Sequence, residues 1–424
     1  MEKLTQMDPQ RLKQAHLQFL QEYEDVRALG LNLNIARGKP NAAQLDLSAE
    51  LLHCIEPEDL VCDGVDYRNY GILDGIPEAK ALFSRFLGAT PEETIIYGNA
   101  SLNIMYDVIV RALLFGVGEG KRPWGQQGKI KFLCPSPGYD RHFAICEQLG
   151  IEMIPIRMTD EGPDMDTVER LVGEDPAIKG IWCVPKYSNP QGIVYSDRTV
   201  RRFASLRCAA DDFRIFWDNA YCIHDLYEPV SLLNLLEECK KTGNENLPYI
   251  FFSTSKITFP GAGVAAMACS RENCAWQKKR MSAQTIGYDK INQMRHVKFF
   301  GDETGVLLQM QRHAEILRPK FEVVLDAFDR ELQPLGCVHY LRPRGGYFIS
   351  LDVLEGCARR TVELCKEAGV ILTDAGATFP YHHDPEDRNI RIAPSYLDVS
   401  EMEIACRALC AAVKLACSEK LLKK

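Results

Sequence analysis

The chain has 424 residues, 46% of them apolar and 25% charged, with 50 basic against 58 acidic side chains and a net charge of −8. That length and composition describe a globular protein with a large core and two domains. No basic block of the kind that tracks a phosphate backbone occurs, which argues against nucleic acid as a partner, and no apolar run approaches the roughly 18–20 residues that span a bilayer.

The chain opens on "MEKLTQMDPQRLKQ", a polar stretch without a signal-peptide pattern, so a cytoplasmic protein is expected. Its 16 cysteines are scattered with no C-x-x-C pair and read as reduced, core-filling thiols. The 9 histidines form no ligand-spaced pairs with them, so no metal site is expected.

Between about residues 93 and 270, short β-rich apolar runs alternate with helix-like stretches. The strand candidates are "TIIY" from Thr94, "IKFLC" from Ile130, "IEMIPI" from Ile151, "IKGIWCV" from Ile178, "FRIFWD" from Phe213, "YIFF" from Tyr249 and "GVAAMAC" from Gly263. Runs apolar on both sides of the pleat predict an α/β domain with a mostly parallel seven-stranded sheet covered by helices. After about Gly305 a long helical pattern leads into "GGYFISLDV" and "RNIRIAP", which read as strands of a smaller α+β domain. The expected division is an N-terminal segment, residues 1–50, packing with the small domain; a large domain, 51–303; and a small C-terminal domain, 304–424.

Ligands of such sheets sit at the carboxyl ends of the strands, so the residues just past each strand carry the functional information. After "TIIY" come Gly98, Asn99, Ala100 and Ser101 and then a helical pattern, a turn whose free N–H groups suit a phosphate or simply cap a helix. After "IKFLC", Tyr139 could stack on a flat ligand or be an ordinary turn aromatic. After "IKGIWCV", Asn189-Pro190-Gln191-Gly192 is a turn signal that also offers a fixed amide. Asp218 ends an apolar strand, where a carboxylate is costly without a partner, and Tyr221 offers a phenol three residues on. After "YIFF" comes "STSK", placing Lys256 just past a buried strand.

One ligand unites these residues. A buried lysine loses charge stabilisation and becomes a nucleophilic amine able to form a Schiff base. An aspartate on the neighbouring strand end can hold a protonated ring nitrogen, and that pairing is what pyridoxal 5′-phosphate needs to act as an electron sink. Its phosphate would go to the Gly98–Ser101 turn, with Ser253 and Ser255 in reach. A P-loop nucleotide site is ruled out because no G-x-x-x-x-G-K-[ST] occurs.

Over nearly its whole length the sequence resembles the fold-type I, class I aminotransferases, and more closely a bacterial aspartate aminotransferase subgroup with "RGKP", "STSKITFPGAGVA" and "RIAPSY" stretches. The resemblance implies Lys256 as Schiff-base lysine and proton carrier, Asp218 on the pyridine nitrogen, Tyr221 and Asn189 on the phenolic oxygen, and Tyr139 against the ring face. It implies phosphate contacts from Ala100, Ser101 and Ser253, and from Tyr70 in "YRNYGILDG" to the neighbouring subunit, hence a homodimer with shared sites. Arg391 in "RNIRIAP" matches the arginine that grips the substrate α-carboxylate, with Asn189 and Gly38 beside it. One departure stands out: the usual "P-G-x-R" arginine is replaced by Gly263.

The implied reaction is amino-group transfer in two half-reactions, with L-aspartate and 2-oxoglutarate as the expected pair. A dicarboxylic substrate needs a second cation, for which Arg37, Lys39, Lys290 and Arg295 are candidates. The same residues would serve a pyridoxal-dependent lyase. A non-catalytic sensor is disfavoured, because no basic helix-turn-helix extension precedes "LNLNIARGKP" and Lys256 is retained.

Overall fold

The computed structural model describes residues 2–423. All seven strand candidates enter one mixed sheet: β1 (Thr94–Ile96), β2 (Lys131–Ser136), β3 (Glu152–Thr159), β5 (Ile178–Cys183), β6 (Arg214–Asp218), β7 (Pro248–Ser253) and β8 (Ala265–Ala268). An eighth strand of two residues, β4 (Gly162–Pro163), folds back antiparallel on β3. The spatial order is β1-β8-β7-β6-β5-β2-β3-β4, and the five strands from β7 to β3 run parallel.

Strands β5 to β8 are buried along their whole length, as their β-branched and aromatic runs require when helices cover both faces. One face is packed by Ile104, Met105, Val108 and Ile109 of α2 (Ser101–Phe115) together with Phe132, Trp182 and Phe216 of the sheet. The other is closed by Phe83, Phe86, Val200 and Phe203 on Ile215, Trp217, Ile250 and Phe252. Each such side chain contributes about 1.5–3 kcal/mol by leaving water.

A third core joins the two ends of the chain. In α1 (Pro9–Arg27), Asp8 caps the first turn by accepting from the N–H groups of Gln10 and Arg11 at 2.9 and 3.0 Å. The helix buries Leu12, Phe19, Tyr23 and Val26 in the same cluster as Leu409, Val413 and Cys417 of the C-terminal helix Val399–Leu422. A three-stranded antiparallel sheet of Val338–Tyr340, Ile349–Val353 and Asn389–Ile392 belongs to this unit. The helix Glu303–Glu331 connects the cores: Val306 and Met310 pack with the large sheet, whereas Ala314 and Phe321 pack with the small one.

No helix among the described residues is long and apolar enough to cross a membrane.

Candidate active site

The parallel strands deliver their carboxyl ends to one edge of the sheet, and there the sequence-predicted residues meet. Register places Asp218, the last residue of β6, beside Phe251 of β7, two residues before Ser253. Asp218 is 3% exposed. Its Oδ2 lies 2.9 Å from His142 Nε2, and because a carboxylate can only accept, that nitrogen carries the hydrogen. The His142 ring is stacked on Trp182, centroids 4.3 Å apart and 7° from parallel, which fixes its direction. Asp218 Oδ1 is buried with no hydrogen-bond partner. The carboxylate's neighbour is thus His142 rather than Tyr221: the chain turns after β6, and the Tyr221 ring faces Lys256 instead.

Lys256 sits in the turn that follows β7, partly buried, with Nζ 5.3 Å from the Tyr221 ring centroid and 5.7 Å from that of Tyr347. It makes no ion pair among the described residues, and burial lowers its pKa below 10.5, opposed by the negative charge of Asp218. Burial pushes the Tyr221 phenol well above 10, so it stays a hydrogen-bond donor at neutral pH. Tyr347 is itself held by Gln44, whose Nε2 donates to the phenol at 2.8 Å.

Tyr139 projects from the loop after β2, its ring edge against His142 with centroids 4.9 Å apart. It directly precedes α3 (Asp140–Gln148). On the other side, Ser253 Oγ donates to Ser255 Oγ at 3.1 Å, and Ser255 Oγ donates to the Asn99 carbonyl at 3.3 Å. These hydroxyls therefore border the Gly98–Ser101 turn. Ala100 caps α2 without a side-chain acceptor, leaving the N–H groups of Ser101 and Leu102 for another one, while that of Asn103 donates to the Ala100 carbonyl at 3.2 Å. At Gly263 an added Cβ would come within 2.9 Å of Thr254 Oγ1, so no larger side chain fits there without movement.

Arg391 comes from the small sheet, paired with Ser350, and is 6% exposed. Its Nη1 donates to Asp140 Oδ1 at 2.7 Å and to Asn189 Oδ1 at 3.4 Å, and Nη2 donates to Thr373 Oγ1 at 3.2 Å. The guanidinium carbon lies 4.9 Å from the Phe348 ring centroid. That ring also explains Gly38, where a Cβ would be only 2.6 Å from Phe348 Cζ. Tyr70 stands apart from this group, 83% exposed, in a shallow depression with Arg68, Tyr288 and Lys290.

His142, Asp140, Phe348 and Thr373 are the neighbours that sequence reasoning missed. His142 had a faint signal, three residues past Tyr139 at the start of a helix. The others had none, since their contacts join distant parts of the chain.

The geometry fits pyridoxal phosphate: an orphaned carboxylate oxygen for a ring N–H, a desolvated lysine, and hydroxyls beside an uncapped helix start. Fold and site define a fold-type I pyridoxal-phosphate enzyme. The chain belongs to the aspartate amino-transferase family, whose model matches residues 7–424. It is 48% identical over 407 residues to a putative aminotransferase of Mycolicibacterium smegmatis, covering 94% of each chain. An aspartate transaminase from Corynebacterium glutamicum superimposes with a TM-score of 0.96 at 41% identity, covering 99% of each chain. An α-aminoadipate aminotransferase from Thermus thermophilus, solved with N-(5′-phosphopyridoxyl)-L-leucine, shares the fold at a TM-score of 0.72 and 20% identity, over 99% of this chain and 96% of that one.

Proposed function

We propose that the protein is a pyridoxal-phosphate-dependent transaminase that moves the amino group of L-aspartate to 2-oxoglutarate. The observation that carries this reading is the pair past adjacent strand ends, a partly buried lysine without a counter-charge and a buried carboxylate with one free oxygen. Bound here, the cofactor supplies an electron sink for negative charge developing at the substrate Cα.

Asp218 would accept the ring N–H on Oδ1, its orientation fixed by His142 on Oδ2. Tyr139 would cover the ring, and Asn189 and Tyr221 would donate to its phenolic oxygen. Ala100, Ser101 and Ser253 receive the phosphate. Gly263 leaves no room for an arginine, so hydroxyls and backbone N–H groups from this chain do that work, joined by Tyr70 from a second copy in a homodimer. The exposure of Tyr70 supports that last role, because its ring is free to reach outward.

Arg391 binds the substrate α-carboxylate beside Gly38 and Asn189. Lys256 Nζ, whose charged form is disfavoured by burial, takes the Cα proton as a base and returns a proton as an acid. Of the cations considered for the second carboxylate, Arg37 and Lys39 are exposed, with Lys39 over the Tyr396 ring, and Arg295 is partly buried. Lys290 is 6% exposed and donates to the Gly71 carbonyl at 3.1 Å without a carboxylate partner among the described residues. We read the chain as a cytoplasmic enzyme of three segments, 1–50, 51–303 and 304–424.

The test is the absorbance of the holoenzyme against L-aspartate, L-alanine and L-phenylalanine. Loss of the visible band with aspartate, and its return with 2-oxoglutarate, is the expected result. Product formation that needs no 2-oxo acid acceptor would instead indicate a lyase. Bleaching by another amino acid alone would overturn the aspartate assignment.

A further inference from the structure

The guanidinium of Arg391 has five N–H bonds in a rigid plane. Asp140 and Asn189 use the two hydrogens of Nη1, and Thr373 uses one of Nη2. Nε is buried with no partner. What is left is Nε–H and one hydrogen of Nη2, the two nitrogens whose shared edge can grip a carboxylate with paired bonds. Phe348 covers the plane of the group.

We infer that Asp140 is a positioning residue for substrate binding: by holding Nη1 it sets the rotation of Arg391 so that its uncommitted N–H groups are presented to the α-carboxylate. This rests on the reading of Arg391 as the carboxylate grip. Three observations single out Asp140. Its contact, at 2.7 Å, is the shortest of the three, and Asn189 at 3.4 Å is too long to fix the group alone. The pair is well shielded, with side-chain exposures of 6% for Arg391 and 27% for Asp140. Asp140 also opens the helix whose first turn carries His142, between two residues that meet the cofactor carboxylate and its ring. The small-domain arginine is thereby registered against the large-domain carboxylate Asp218 through a single turn of helix.

Asp140 has a second effect of opposite sign, since its negative charge repels an incoming carboxylate. Two variants separate the effects. Asp140→Asn and Asp140→Ala lose the same charge, but only asparagine keeps an acceptor for Nη1. The experiment measures succinate dissociation constants by calorimetry on the holoenzyme, and KM and kcat for L-aspartate, with Arg391→Lys as control. D140A is expected to bind succinate about tenfold more weakly than D140N and to show a lower kcat, while D140N keeps kcat near that of the parent. Equal succinate affinities in D140A and D140N would overturn the inference, leaving Asp140 as a charge alone. If R391K leaves succinate affinity unchanged, the carboxylate-grip reading fails instead, and the inference with it. Melting temperatures recorded alongside show whether D140A is folded; should it not be, Asp140→Leu, close to asparagine in size but without an acceptor, takes its place in the same comparison.

Discussion

Each end of the large sheet carries a lysine and a buried aspartate. At the amino-terminal end, Lys179 of β5 donates to Asp212 at 2.6 Å, with side-chain exposures of 5% and 3%, and Gln127 donates to the second aspartate oxygen at 2.8 Å. At the carboxyl end, Lys256 touches no carboxylate, and Asp218 has a histidine on one oxygen and nothing on the other. The first pair is closed and satisfied, which is how a protein tolerates buried charge. The second is held open by the rings of Tyr221 and Tyr347 around the amine. The unpartnered Asp218 Oδ1 sets the carboxyl end of the sheet apart from the closed pair at the other end.

Substitutions at the two ends should therefore fail in different ways. Lys256→Ala is expected to lower kcat by about 10⁴-fold or more with the fold intact, read by steady-state assay and circular dichroism. Lys179→Ala should do the reverse, costing about 3–5 kcal/mol in denaturant unfolding through the uncompensated Asp212 while leaving kcat per folded molecule unchanged. A large kcat loss in K179A would erase the contrast.

His142→Phe removes the donor to Asp218 Oδ2 but keeps a ring against Trp182. It should lower kcat by about 10–100-fold and weaken cofactor retention, followed by dialysis and absorbance. Ser253→Ala, which deletes one hydroxyl of the phosphate cradle, should weaken cofactor binding by about tenfold without altering the fold.

The smallest effect concerns pH. The folded-state pKa of Lys256 lies below its ordinary 10.5, so between the two values the unfolded chain holds more protons. Stability of the cofactor-free protein should rise with pH through that window, and the penalty should be fully present below it. Lys256→Met removes the penalty, so its melting temperature should exceed the parent's at pH 7, with a shallower dependence approaching pH 10. Lys179→Met should shift it downward instead. Scanning fluorimetry reads both signs.

Strand runs such as "IKGIWCV" and "YIFF" were readable because both faces of these strands are buried, which leaves continuous apolar sequence. The two-residue β4 and the half-exposed Val338–Tyr340 carry too little pattern to announce themselves. The same division holds in the site. Lys256, Asp218, Tyr139 and Asn189 follow directly on strands, so topology alone brings them together. The partners that aim them do not: Asp140 and Arg391 are 251 positions apart, and His142 and Asp218 are 76 apart. Sequence shows that Asp218 needs a partner, but the choice of His142 over Tyr221 depends on how α3 docks against Trp182.

Tyr139 and the first turn of α3 make three linked contacts: the Tyr139 ring edges His142, His142 donates to Asp218, and Asp140 accepts from Arg391. Gly138 before it has no space for a side chain, since a Cβ would stand 2.4 Å from the Pro135 carbonyl, and its N–H donates to the Thr378 carbonyl at 2.7 Å. A one-residue insertion between Ser136 and Tyr139 would rotate this turn and displace all three contacts together. The length of this segment is thus tied, through its backbone contacts, to the placement of three side chains at once.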